Sequence, residues 1–127
     1  MSELSPTCTV TIDKTEVEIF MSFALLNAVA RHVGDPDNIP LIMLNPDLRE
    51  IILSELLAVR DPKGKVTQAR SIDEVDITLL DVENLLDFAS EHVLDFMIRA
   101  LEKTNARKDK YETRLKALVP SSTGPKT

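Results

Sequence analysis

Apolar and polar residues alternate near the start of the chain: Thr9 and Thr11 separate Cys8, Val10 and Ile12, and Glu18 separates Val17 and Ile19. Successive side chains of a strand point to opposite faces, so this period of two predicts two strands, each with one wet face. Asp13, Lys14 and Thr15 fill the connection, and the pair forms a hairpin without the Asn-Gly or Asp-Gly of strong two-residue turns. From Phe20 the spacing becomes helical. Phe23, Leu26, Ala30 and Val33 make one stripe, widened by Leu25, Ala28 and Val29, with Ser22 as N-cap and Gly34 as the stop. Phe20 and Phe23 are expected in the core. A lone hairpin is marginal in water, so this one is expected to lay its apolar face on the helices.

The stretch "DPDNIP" reads as a loop, because Pro36 and Pro40 forbid helical continuation. "NPDLREIILSELLAV" carries a strong start signal: Asn45 as N-cap, Pro46 at the first helical position and Asp47 in the first turn. Leu48, Ile52, Leu56 and Val59, with Ile51, Leu53 and Leu57 beside them, make this helix apolar over much of its circumference, so it is expected to be central. Residues 61–70 read as an exposed polar loop. Residues 71–80 are ambiguous: Ser71 and Glu74 match a capping box, whereas Val75, Ile77 and Leu79 alternate as in a strand.

Asp81 is the expected cap of the longest helical pattern, with Val82, Leu85, Leu86, Ala89, Val93, Phe96, Met97, Ala100 and Leu101 on one stripe. Phe88, Leu94 and Ile98 lie off it. No Gly or Pro falls between Lys65 and Val119, and a single helix over 82–118 would span roughly 55 Å, too long for a compact domain of this size. It either bends or protrudes, with Thr104 and Asn105 as the expected break. Tyr111, Leu115 and Leu118 then form a thin apolar stripe in a basic segment. The fold class is therefore mainly α: a helical domain with a short N-terminal β-hairpin and a long C-terminal helix. Residues 1–104 form one domain, and 105–127 a basic helical extension whose "PSSTGPKT" end is expected to be disordered.

Charge changes the picture mainly through its placement. Over 127 residues the net charge is −6, which opposes nonspecific attraction to nucleic acid and to anionic membranes. Residues 71–98 hold 8 acidic and no Lys or Arg side chains, whereas 99–127 hold 8 basic and 3 acidic ones. Such opposite blocks suit a solvated face and tail, or attraction to a partner or another copy. One cysteine, Cys8, excludes an internal disulfide and fits a reducing compartment, with the thiol as a small buried hydrophobe.

Catalytic material is scarce. His32 sits near a helix end, and His92 stands within the acidic face Asp87, Glu91 and Asp95, where "EHVLD" has a metal-ligand look but is also what an ordinary wet helix face shows. With 3 glycines and no nucleophile elbow, phosphate loop or paired-histidine zinc motif, no catalytic, cofactor or metal residues are assigned and an enzyme is not expected. Binding through apolar surface remains. Phe96 and Met97 belong with the core stripe, whereas Phe88, Leu94 and Ile98, with Tyr111, Leu115 and Leu118, are the candidate contact residues.

The order of elements resembles the tail assembly chaperones of long-tailed, siphovirus-type bacteriophages. The resemblance covers roughly residues 9–103. It rests on the "TVTIDKTEVEIF" ribbon running into "MSFALLNAV", then "LREIILSELLAV", then "ITLLDVENLLDFASEHVLDFMIRAL" with its "LLDFASEHVLDF" rhythm. It implies a non-enzymatic assembly factor of the host cytoplasm, absent from the mature virion, that binds the tape measure protein and keeps it soluble until the tail tube polymerises. It also implies a longer, frameshifted form that recruits tail tube protein. Gly124, Pro125 and Lys126 are compatible with the codons GGC CCA AAA, which contain a slippery heptamer. A directly joined ribbon and helix would hold an open strand edge in a fixed place for a partner or a homo-oligomer. The competing reading is an oligomeric helical adaptor or regulatory subunit of a bacterial complex unrelated to phage, and gene neighbourhood separates the two.

Overall fold

The computed structural model describes residues 4–118, and its order is β1 (Thr7–Ile12), β2 (Thr15–Phe20), α1 (Phe23–Val33), α2 (Leu41–Leu44), α3 (Pro46–Leu57), β3 (Val59–Arg60), β4 (Val66–Gln68) and α4 (Leu79–Leu118). It is mainly α, with the N-terminal hairpin and the long last helix in place. Two compact units divide the chain after Asp95. The expected disordered tail and the Gly124–Lys126 stretch lie outside the described residues.

In the first unit β1 and β2 pair antiparallel, Ile12 opposite Thr15 and Cys8 opposite Ile19. Only Asp13 and Lys14 form the turn, with φ of 52° and 68°, the left-handed pair of a two-residue hairpin made here without glycine. Asp13 has outside support: its N–H donates to the Asp76 carbonyl at 2.9 Å, and the Asp76 N–H donates to Asp13 Oδ1 at 2.7 Å.

Ser22 caps α1 by accepting from the Leu25 N–H at 3.1 Å, and Gly34 ends it at φ 76°. The helix buries Leu25 and Val29 from the flank of the expected stripe and Val33 from the stripe itself, whereas Phe23, which opens the stripe, is 68% exposed. Phe20 is 60% exposed too. The strand period runs on through Phe20, which shares the wet face with Glu16 and Glu18, while Met21 takes the inward place. Within "DPDNIP" Pro36–Asn38 forms a 3₁₀ turn capped by Asp35.

Asn45 caps α3 twice, accepting from Asp47 and Leu48. The helix packs on α1 and α2, buries Ile52, Leu53, Leu56 and Leu57, and so is central as its sequence predicts. Residues 61–70 are more than a loop, because Val59–Arg60 pairs with Val66–Gln68. Gly64, at φ 89°, turns this ribbon against α1, where a Cβ would meet Ala24 Cβ at 2.6 Å.

Of the two readings of 71–80 the capping box holds: Ser71 and Glu74 close it over the 3₁₀ turn Ile72–Glu74. The strand does not form, since among the described residues 75–78 pair with nothing as a ladder and Leu79 already begins α4. Asp81 does not cap α4. Thr78 does, its Oγ1 accepting from the Asp81 N–H at 3.2 Å and its carbonyl from Val82 at 3.0 Å, which leaves the Asp81 carboxylate to accept from the Thr11 N–H at 3.0 Å. The core closes with Leu85, Leu86, Phe88, Ala89 and Val93.

The second unit is helical from Phe96 to Leu118. No break occurs at Thr104 and Asn105: neither residue blocks a helix, and propensity alone is too weak to interrupt one. Every residue from Ile98 to Leu118 is exposed. Phe96, expected in the core, is 39% exposed.

Candidate partner-binding surfaces

The two histidines are both held by the fold. His32 Nε2, in the last turn of α1, lies 2.8 Å from Glu55 Oε2 on α3, and Glu55 Oε1 accepts from Arg60 Nη2 at 2.8 Å. Arg60 also donates through Nη1 to the Gly64 carbonyl at 2.8 Å, and its Nε is buried without a hydrogen-bond partner among the described residues. This half-buried network ties α1, α3 and the β3–β4 turn together. His92 Nε2 lies 2.7 Å from the Ser5 carbonyl oxygen, and its ring meets Phe88 edge-on with centroids 4.8 Å apart. His92 thus pins the N-terminal segment.

Phe88, expected as an exposed contact, is 7% exposed. Leu4, Ser5, Thr7 and Cys8 line one crevice with Phe88 and His92, and His92 holds Ser5 there, so the N-terminal segment runs beside a helix face that the main stripe does not include. Cys8 is only half-buried. Burial, and after it the charge of Asp81, pushes its thiol pKa up.

The other contact candidates are exposed: Leu94 at 43% in the first unit, and Ile98, Tyr111, Leu115 and Leu118 at 46%, 55%, 59% and 76% in the second. Leu101, assigned by its spacing to the core stripe, joins them at 56%.

The hairpin has the open edge expected of it, and beside that edge lies a groove that the residue pattern did not single out. The outer edge of β2 has no strand beside it among the described residues. A groove of about 420 Å³ runs there, lined by Val17, Phe20, Leu25, Val59, Arg60 and Arg70. Arg70 Nε is committed to the Leu57 carbonyl at 2.8 Å. The signal that was available is "DPKGK" between "AVR" and "VTQ", turn residues between two β-prone triplets.

Among the described residues, no helix is long and apolar enough to cross a membrane, and no three potential ligands gather as a metal site. No protein-family model matches the chain, and no curated protein or solved structure is significantly similar to it.

Proposed function

We propose that this chain is a phage tail assembly chaperone, acting in the host cytoplasm, which binds an apolar helical segment of the tape measure protein and keeps it soluble for tube polymerisation. The observation that carries the reading is apolar side chains displayed on α4 where a packed helix would bury them, Leu94 and Ile98 first among them, each more than two-fifths exposed. Helices in water draw most of their stability from packing an apolar face, and an amphipathic helix of this kind is suited to cover the apolar stripe of another. The alternation of acidic and basic blocks adds solubility and orientation to such an encounter.

Co-expression with a tape measure protein tests it. The full chain is expected to move the tape measure from the pellet to the soluble fraction and to co-purify with it. Leu94→Asp combined with Ile98→Asp is expected to lower that yield while circular dichroism stays unchanged, since both side chains are exposed. A tape measure that remains insoluble with the wild-type chain defeats the reading.

A further inference from the structure

The second unit carries a regular pattern beyond simple amphipathicity. Met97, Leu101, Thr104, Lys108, Tyr111, Leu115 and Leu118 follow one another at alternating steps of four and three residues. That is the heptad spacing of a coiled-coil seam, with Leu101, Lys108 and Leu115 at one core position (a) and Met97, Thr104, Tyr111 and Leu118 at the other (d). The seam is exposed along its length from Leu101, so among the described residues of this unit nothing covers it.

The flanking positions say what fits it. In a parallel pair, each residue preceding an a position (g) faces the residue five further along on the partner (e). Here that sets Arg107 against Glu112 of a second copy, twice by symmetry. An antiparallel pair would instead set Arg107 and Arg114 on the same flank, like charge facing like. Lys108 at a core position lowers stability but is tolerated best where two chains lie in one register with its ammonium reaching solvent.

We propose that residues 97–118 pair with the same residues of a second copy as a parallel, in-register two-stranded coiled coil. The pairing is a property of the pure protein and does not rest on tape measure binding. It assigns the Tyr111, Leu115 and Leu118 stripe to self-association and leaves Leu94 and Ile98 for other contacts.

Sedimentation equilibrium of the full chain over a wide concentration range tests it. The mass is expected to rise from 14.2 kDa towards twice that value. Leu115→Asp should weaken the dimer by about tenfold or more and Lys108→Leu should tighten it, with the melting of the first unit unchanged. Arg107→Glu should weaken it, and adding Glu112→Arg should restore it. For direction, Thr104→Cys in a Cys8→Ser background should cross-link on oxidation, as a parallel in-register seam requires. A chain that stays monomeric at all concentrations overturns the proposal, as does a dimer that ignores Leu115→Asp or fails to cross-link. If the pure chain is monomeric and Leu115→Asp abolishes tape measure solubilisation, the seam belongs to that partner instead. A dimer that behaves as expected beside a tape measure that stays insoluble would sink the functional reading alone.

Discussion

Phe88 shows how far a single side chain's setting escapes local sequence. By helical angle it lies off the α4 stripe, yet it is buried, and it shares a crevice with Leu4, Ser5, Thr7 and Cys8, which are some eighty residues away along the chain. Phe88→Ala should therefore cost about 3–5 kcal/mol in chemical denaturation, whereas Ile98→Ser, on an exposed site, should stay within about 0.5 kcal/mol. Cys8 offers a second check. With its thiol pKa raised by burial and by Asp81, less thiolate exists at a given pH than in an unfolded chain, so alkylation in the folded protein should lag and speed up only at higher pH. Asp81→Asn removes the charge and keeps an acceptor for the Thr11 N–H, so it should move the reaction profile to lower pH. An unchanged profile would mean that Asp81 does not act on the thiol.

At the scale of elements, legibility followed the range of the forces involved. Ser22, Gly34 and Asn45 were readable because a cap satisfies groups within four residues of itself. Asp81 was misread because two acceptors compete for one helix start, and the nearer hydroxyl of Thr78 wins once the carboxylate is drawn to the hairpin backbone. Phe20 was misread because strand and helix periods overlap at a junction with no Gly or Pro to mark it. The turn "DPKGK" of the β3–β4 ribbon is legible, but the groove beside β2 is not, because it exists only when that ribbon folds back onto α1. Two substitutions probe these elements. Lys14→Gly should stabilise the fold by about 1 kcal/mol, since Lys14 holds φ 68° at a steric cost that glycine avoids. Gly64→Ala should destabilise it by about 1–3 kcal/mol, because its φ is 89° and the added Cβ would lie 2.6 Å from Ala24 Cβ. Thermal or chemical denaturation reads both, and opposite signs from these would refute the turn assignments.

Across the whole molecule the apolar residues serve two ends. In the first unit they close a core from the hairpin, α1, α2, α3 and the start of α4. In the second they are displayed on a helix whose side chains are exposed from Ile98 to Leu118. Displayed apolar stripes carry an aggregation hazard unless a partner covers them; the partners proposed above are a second copy along the heptad seam and the tape measure protein beyond it. The core was largely legible because its stripes are long and periodic. The division of one helix into buried and displayed parts was not, because both parts share the same spacing and only the tertiary fold ends the burial at Val93. The most direct test of the central claim is aggregation of purified tape measure protein diluted from denaturant, followed by light scattering with and without the full chain. Scattering is expected to fall as the chain is added and to be suppressed near a stoichiometric ratio, with a soluble complex recovered; unchanged scattering at molar excess would rule out the chaperone role.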